Sequence, residues 1–160
     1  MTISKGKVAV GMSGGVDSSI AAYLLSESGY HVEGIFMKNW EEDDGENCSS
    51  KEDYEDAMRV CKYLGIKLNL VNFSDKYWND VFESFIAELK KGRTPNPDVF
   101  CNKEIKFKQY YQYAMSLNFD LIATGHYACK TNTKVPELHI PKDKVKDQTY
   151  FLYMINQTVL

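Results

Sequence analysis

Long apolar runs are missing from this chain. No stretch approaches the roughly 18 consecutive apolar residues that a membrane-spanning helix needs. Met1 to Val10 has no apolar segment ahead of a cleavage site, so neither an anchor nor a secretory leader is expected, and the reading is a cytoplasmic protein. Cysteine is scarce, and Cys48, Cys61, Cys101 and Cys129 form no CxxC pair and no zinc-ligand spacing. In the cytosol such thiols stay reduced. No internal repeat or low-complexity tract occurs. A basic excess is also lacking: the formal net charge of -3 speaks mildly against a nucleic-acid partner. The acidic run Glu41 to Glu46 distorts that balance, however, and Lys103, Lys106 and Lys108 gather elsewhere, so composition leaves the partner open.

What is present suffices for one core. The 160 residues, 44% of them hydrophobic, match about one domain. Lys7 to Met12 reads as a buried strand, and Asp17 to Ser28 as a helix closed by Gly29. His31 to Met37 is a second strand. Ser49-x-x-Glu52 has the form of a capping box opening a helix that Gly65 stops. Ile66 to Phe73 gives a third strand, and Tyr77 to Leu89 an apolar helical stripe. Gly92-Arg-Thr-Pro-Asn-Pro97 interrupts helix, because each proline disfavours helix in the residue before it. A further helix is expected from about Cys101 to Leu117, then a fourth strand over Asp120 to Thr124. Val135 to Lys146, mixing prolines with lysines, reads as irregular loop. Strands alternating with helices imply an α/β fold, a mostly parallel sheet with helices on both faces.

Ser13-Gly-Gly-Val-Asp-Ser-Ser19 falls between the first strand and the first helix, where open parallel sheets bind ligands. Paired glycines let the backbone approach an anion, inward amides form a nest, and the helix adds its positive end. Ser13, Ser18 and Ser19 offer hydroxyl donors. Asp17 would repel a phosphate unless Mg²⁺ intervenes, which suggests a metal-bridged pyrophosphate. The plainer alternative is a glycine turn with a side-chain N-cap. Neither the Walker pattern nor GxGxxG follows this strand.

Thr94 to Phe107 is the second informative stretch. Two prolines stiffen a loop, and Cys101 falls where a helix is expected to begin, with Lys103 close by. A thiol there would have its thiolate stabilised and its pKa lowered. The alternative is a small apolar residue tucked under the loop. Cys61, in a core stripe, is expected to be inert, and Cys48 and Cys129 incidental.

SGGVDSS resembles the loop of the N-type ATP pyrophosphatases, whose Rossmann-like fold is of the adenine nucleotide alpha hydrolase type. Within that superfamily the chain resembles the tRNA-specific 2-thiouridylases. The resemblance is carried by Met37-Lys-Asn-Trp40 with its acidic tail, Gly92 to Asp98, the Cys101 stretch, Ala123-Thr-Gly-His-Tyr127 and Lys146-Asp-Gln-Thr-Tyr-Phe-Leu152, in order along nearly the whole sequence. The resemblance implies that Gly11, Met12, Ser13, Gly14, Gly15, Val16, Asp17, Ser18, Met37 and Gly125 contact ATP. It implies that Asn96, Pro97 and Asp98 meet the target base, that Lys146, Asp147 and Gln148 contact tRNA, and that Cys101 is the nucleophile. His126 is read as a neighbouring-loop residue rather than a catalyst.

The implied reaction adenylates the 2-oxygen of a wobble uridine, then transfers sulfur from a persulfide that a carrier protein supplies. In the family the persulfide cysteine lies well beyond the Lys146–Gln148 segment, and no cysteine here takes that place. The expected organisation is therefore an ATP-pyrophosphatase domain over residues 1–130 and an incomplete segment over 131–160, able to bind or adenylate but not to finish thiolation. Two other readings stay open: another adenylating enzyme on the same loop, which would need no thiol, and a nucleotide-binding remnant without catalysis.

Overall fold

The computed structural model describes residues 5–40, 49–131 and 133–160. The acidic run Glu41 to Glu46 and Cys48 lie outside them. The chain divides into two compact units, one of residues 1–73 and 112–125, the other of residues 74–111 and 126–160. Among the described residues, no helix is long and apolar enough to cross a membrane.

The first unit is a four-stranded parallel sheet. Strand β1 (Lys7–Met12) is buried from Val8 to Met12, the continuous apolar run of a strand covered on both faces. It leads into α1 (Val16–Glu27), which ends before Gly29 at φ +87. Strand β2 (His31–Lys38) pairs with β1 from Lys7↔His31 to Met12↔Phe36. Helix α2 (Ser49–Leu64) is stopped by Gly65 at φ +67 and returns to β3 (Leu68–Asn72) beside β2.

Strand β4 (Leu121–Ala123) then pairs on the other side of β1, giving the order β3-β2-β1-β4. Helices α1 and α2 pack on the sheet and on each other.

The core joins Val8, Val10 and Met12 to Ala22, Val32, Phe36, Ala57 and Cys61. Gly34 makes this closeness possible: a Cβ there would lie 2.9 Å from both Leu68 and Met12 and 3.0 Å from the Cys61 sulfur. Cys61 is thus the core residue its helical spacing predicts. Burial raises its thiol pKa, as expected for an inert cysteine.

The second unit is mostly helical. Helix α3 (Ser74–Tyr77) runs through a π-helical stretch, Trp78–Phe82, into α4 (Glu83–Lys90). After the prolyl loop, α5 (Pro97–Phe100) continues as a π-helix over Cys101–Gln109 and then as α6 (Tyr110–Ser116). The helix therefore begins at Pro97, four residues before the expected start. Strand β6 (Leu138–His139) falls within Val135 to Lys146, expected to be irregular, and forms a small antiparallel pair with β5 (Cys129–Lys130) ahead of it.

Candidate functional site

The strand order reverses at β1, with β2 on one side and β4 on the other. The carboxyl ends of β1 and β4 are therefore neighbours at a topological switch point, where open α/β sheets hold ligands. Ser13 to Gly15 leaves β1 there, and Gly125 follows β4 by two residues. A Cβ on Gly125 would lie 2.6 Å from the Ser18 nitrogen and 2.8 Å from the Asp17 carbonyl carbon. The loop after β4 thus rests on the first turn of α1. Met37, half-buried, sits near the carboxyl end of β2 on the same edge of the sheet.

Within the loop, Ser18 is the tie. Its hydroxyl, on a residue only 3% exposed, accepts the Ser13 N–H at 3.2 Å and donates to the Gly15 carbonyl at 3.1 Å. The Ser19 hydroxyl donates to the same carbonyl at 2.8 Å. Of the three hydroxyls expected to face a phosphate, those of Ser18 and Ser19 are thus directed into the loop, and that of Ser13 lies 3.2 Å from the Ser18 hydroxyl. A donor turned onto its own backbone fixes the turn and leaves anion binding to the amides.

The N-cap position of α1 is Gly15, which has no side chain with which to cap the helix. The plain reading of a serine or aspartate cap is therefore not what the structure adopts. An uncapped helix start with a glycine at its mouth fits an anion. Asp17 is half-buried in the first turn. The described residues contain no group of three or more His, Cys, Asp or Glu placed to hold a metal ion. Mg²⁺ bound by one carboxylate commonly completes its shell with phosphate oxygens and water, a set that Asp17 would suit.

In the second unit, Asn96 caps the helix that carries Cys101, its Oδ1 accepting the Asp98 N–H at 2.9 Å, with Pro97 at the first helical position. Cys101 consequently lies a full turn inside the helix, beyond the strongest part of the dipole. The expected low thiol pKa is reversed. Burial pushes the Cys101 thiol up; Lys106 draws it back, and Asp98 raises it further. Lys103, expected to help, is paired with Glu104 at 3.0 Å. Next to the thiol, Asn102 is buried; its amide donates to the Asp98 carbonyl at 2.9 Å, and its Oδ1 has no hydrogen-bond partner among the described residues.

Arg93, Asn96, Phe100 and Tyr153 line an open cleft of about 350 Å³. Glu88 holds Arg93 at 2.7 Å on its rim. Arg93 belongs to the Gly92–Asp98 stretch, but its meeting with Tyr153, 60 positions on, has no signal in sequence order.

The Lys146–Gln148 segment closes on Tyr127. The Gln148 Oε1 accepts the Tyr127 N–H at 2.8 Å, and the Gln148 N–H donates to the Tyr127 carbonyl at 3.0 Å. Lys146 Nζ lies 4.2 Å from the centre of the Tyr127 ring. Asp147 accepts the Thr149 N–H at 2.8 Å and so opens a 3₁₀ turn over Thr149–Phe151. His126, beside Phe107 at 5.7 Å, is held neutral: burial, then Lys106, lowers its pKa to about 4.

Residues 6–160 match the family described as tRNA methyl transferase HUP domain. The chain is 58% identical over 154 residues to the tRNA-specific 2-thiouridylase MnmA of Pseudomonas putida (strain W619), covering 95% of this chain and 41% of that protein. It is 56% identical over 158 residues to the enzyme of the same name from Legionella pneumophila (strain Lens), covering 98% and 44%. The chain thus spans about two fifths of the length of the curated relatives it matches. Among solved structures it resembles the U34-tRNA thiolase NcsA from Methanococcus maripaludis, with a TM-score of 0.55 and 28% identity over 78% of this chain and 40% of that one. The predicted subunit of tRNA methyltransferase from Methanocaldococcus jannaschii, at 19% identity and a TM-score of 0.50 over 92% and 62%, shares the fold.

Proposed function

Because the chain belongs to the tRNA methyl transferase HUP domain family, we propose that it carries the ATP-using part of a tRNA 2-thiolation reaction. The observation that carries the proposal is the Ser13–Ser18 turn at the sheet's switch point, tied by Ser18 and closed against Gly125. Its amides and the start of α1 would hold the phosphates of ATP, the co-substrate. Gly11, Met12, Met37 and Gly125 would surround the rest, and Asp17 would share a Mg²⁺ ion with the phosphates. Adenylation of the uracil 2-oxygen turns a poor leaving group into AMP. Pyrophosphate would leave as the adenylate forms. The outer sulfur of a persulfide loaded by a carrier protein would then enter at the activated carbon as AMP departs. Cys101, the attacking thiol, would close a disulfide with the cysteine that had borne the persulfide, with Asn96, Pro97 and Asp98 beside the base. Residues 1–130 would act as the ATP-pyrophosphatase domain and 131–160 as the approach to the tRNA-contacting part, in the cytoplasm where tRNA is found.

Exchange of labelled pyrophosphate into ATP, measured with and without tRNA, tests this. The expected result is exchange that depends on tRNA and on Gly14 and Gly15. Exchange indifferent to tRNA would remove the thiolation reading and leave a different adenylating enzyme.

A further inference from the structure

The cleft bounded by Arg93, Asn96, Phe100 and Tyr153 is built wholly within the second unit. It combines two features of single-stranded nucleic-acid sites, aromatic faces and a cationic rim. Tyr153 is 71% exposed although Leu152 beside it is buried, so the backbone is anchored while the ring stays open to a partner. The rim is cationic in spite of Glu88. The two Glu88 oxygens take Lys91 and Arg93, each at 2.7 Å, so two positive charges share one carboxylate and the group stays net positive. A volume of about 350 Å³ lies near the lower end for ligand sites, room for one nucleotide rather than a stretch of strand.

The thiol serves another face of the same helix. Successive helical residues project about 100° apart. Phe100 borders the cleft, whereas Cys101 does not. The charges acting on the Cys101 sulfur are those of Lys106 and Asp98, and Tyr77 senses Cys101 and Asp98 together. A base seated in the cleft is therefore not the base that this sulfur attacks.

We propose that the cleft receives a nucleotide next to the target uridine in single-stranded RNA, its base stacked on Tyr153 and its phosphate against Arg93. This rests on the tRNA reading of the chain and gives it a second point of grip. Asn96 borders the cleft too, so target and neighbour would be splayed to either side of the start of the helix. The Lys146–Gln148 segment runs through the 3₁₀ turn Thr149–Phe151, packed against α5, and on to Tyr153. An expected tRNA contact and the stacking ring thus share one short stretch of chain.

The full chain is titrated with an anticodon stem-loop RNA bearing the wobble uridine. Three further RNAs are abasic at the wobble position, at its 5′ neighbour or at its 3′ neighbour. Tyr153→Ala should weaken binding of the intact RNA about tenfold, with an unchanged urea midpoint. Tyr153→Phe, which keeps the ring, should bind within about twofold of the parent. The alanine loss should vanish on one of the neighbour-abasic RNAs and persist on the wobble-abasic one. Arg93→Gln should reduce the slope of log affinity against log salt by roughly 0.7, the share of one single-strand phosphate. A loss that vanishes on the wobble-abasic RNA would make the cleft the target-base site and overturn the proposal. So would a loss equal on every RNA, no loss at all, or an unchanged salt slope in Arg93→Gln. In each of those cases RNA binding by the parent leaves the tRNA reading standing. A parent that binds none of the RNAs ends that reading and the subsite together.

Discussion

Gly14 lies so close to Asp53 that a Cβ on residue 14 would stand 2.5 Å from the Asp53 carbonyl oxygen and 2.9 Å from its Cα. Gly14 also has φ +78, a conformation other residues enter only with strain. The first glycine of the pair thus serves a packing need, seating the turn on the first turns of α2. Gly15 has open space apart from the Ser13 hydroxyl at 3.4 Å.

The two glycines are therefore predicted to fail differently. Gly14→Ala meets immovable backbone and a left-handed φ, together a loss of roughly 2–5 kcal/mol in urea unfolding. Gly15→Ala should unfold within about 1 kcal/mol of the parent while weakening ATP binding. Equal stability of the two variants would show that Asp53 does not confine the turn.

Asn96 offers a second separation, between folding and recognition. Its Oδ1 caps the Cys101 helix, so Asn96→Ala should cost about 1 kcal/mol. Asn96→Asp keeps a capping oxygen and should retain stability, yet it removes the amide donor from the cleft that Arg93 and Tyr153 share. If Asn96 also meets the base, tRNA-dependent exchange falls in both variants while stability falls only in the alanine one. Full exchange in Asn96→Asp would confine the residue to capping.

Much of the first unit was legible because its signals are local. An apolar run such as Val8 to Met12, followed by a glycine turn and stopped later by Gly29 and Gly65, places strands and helices within a residue or two. The helix start at Pro97 is hidden because each proline, read by itself, is a helix breaker. Yet Asn96 followed by Pro97 is itself a start signal, a capping side chain and then a ring already at helical φ. Burial was not legible at all. The thiol of Cys101 was expected to be low from its place in the sequence, and the surrounding structure raises it. Nor could pairing across 21 positions, as between Tyr127 and Gln148, be read from either motif alone.

That reversal at Cys101 is directly measurable. With burial raising its pKa above the ordinary value of 9.0, alkylation of Cys101 by iodoacetamide, followed peptide by peptide, should remain slow at pH 7 and still be climbing at pH 9. Asp98→Asn removes a raising charge and should move the profile to lower pH. A half-maximal rate below pH 8 in the unaltered chain would restore the activated thiolate expected from sequence.

Lys106 reaches both Cys101 and His126, and removing its charge should move both in one direction. It lowers the Cys101 thiol and, second to burial, the His126 ring. Lys106→Met should therefore raise both pKa values, displacing the alkylation profile upward and the His126 ring-proton titration above about 4. The effect on stability has a definite sign. A folded pKa below the ordinary 6.5 means that the unfolded chain binds the proton more readily. The stability associated with neutral His126 is fully present above about pH 6.5 and is lost as pH falls toward 4, on the order of 3 kcal/mol for a shift of this size. Urea unfolding between pH 7 and pH 4 should show the parent losing that much more than His126→Phe, which has no proton to gain, with Lys106→Met between them. An identical acid loss in the parent and His126→Phe would mean that the ring is solvated and titrates normally. It would also remove the basis for assigning Lys106 a hold on the ring.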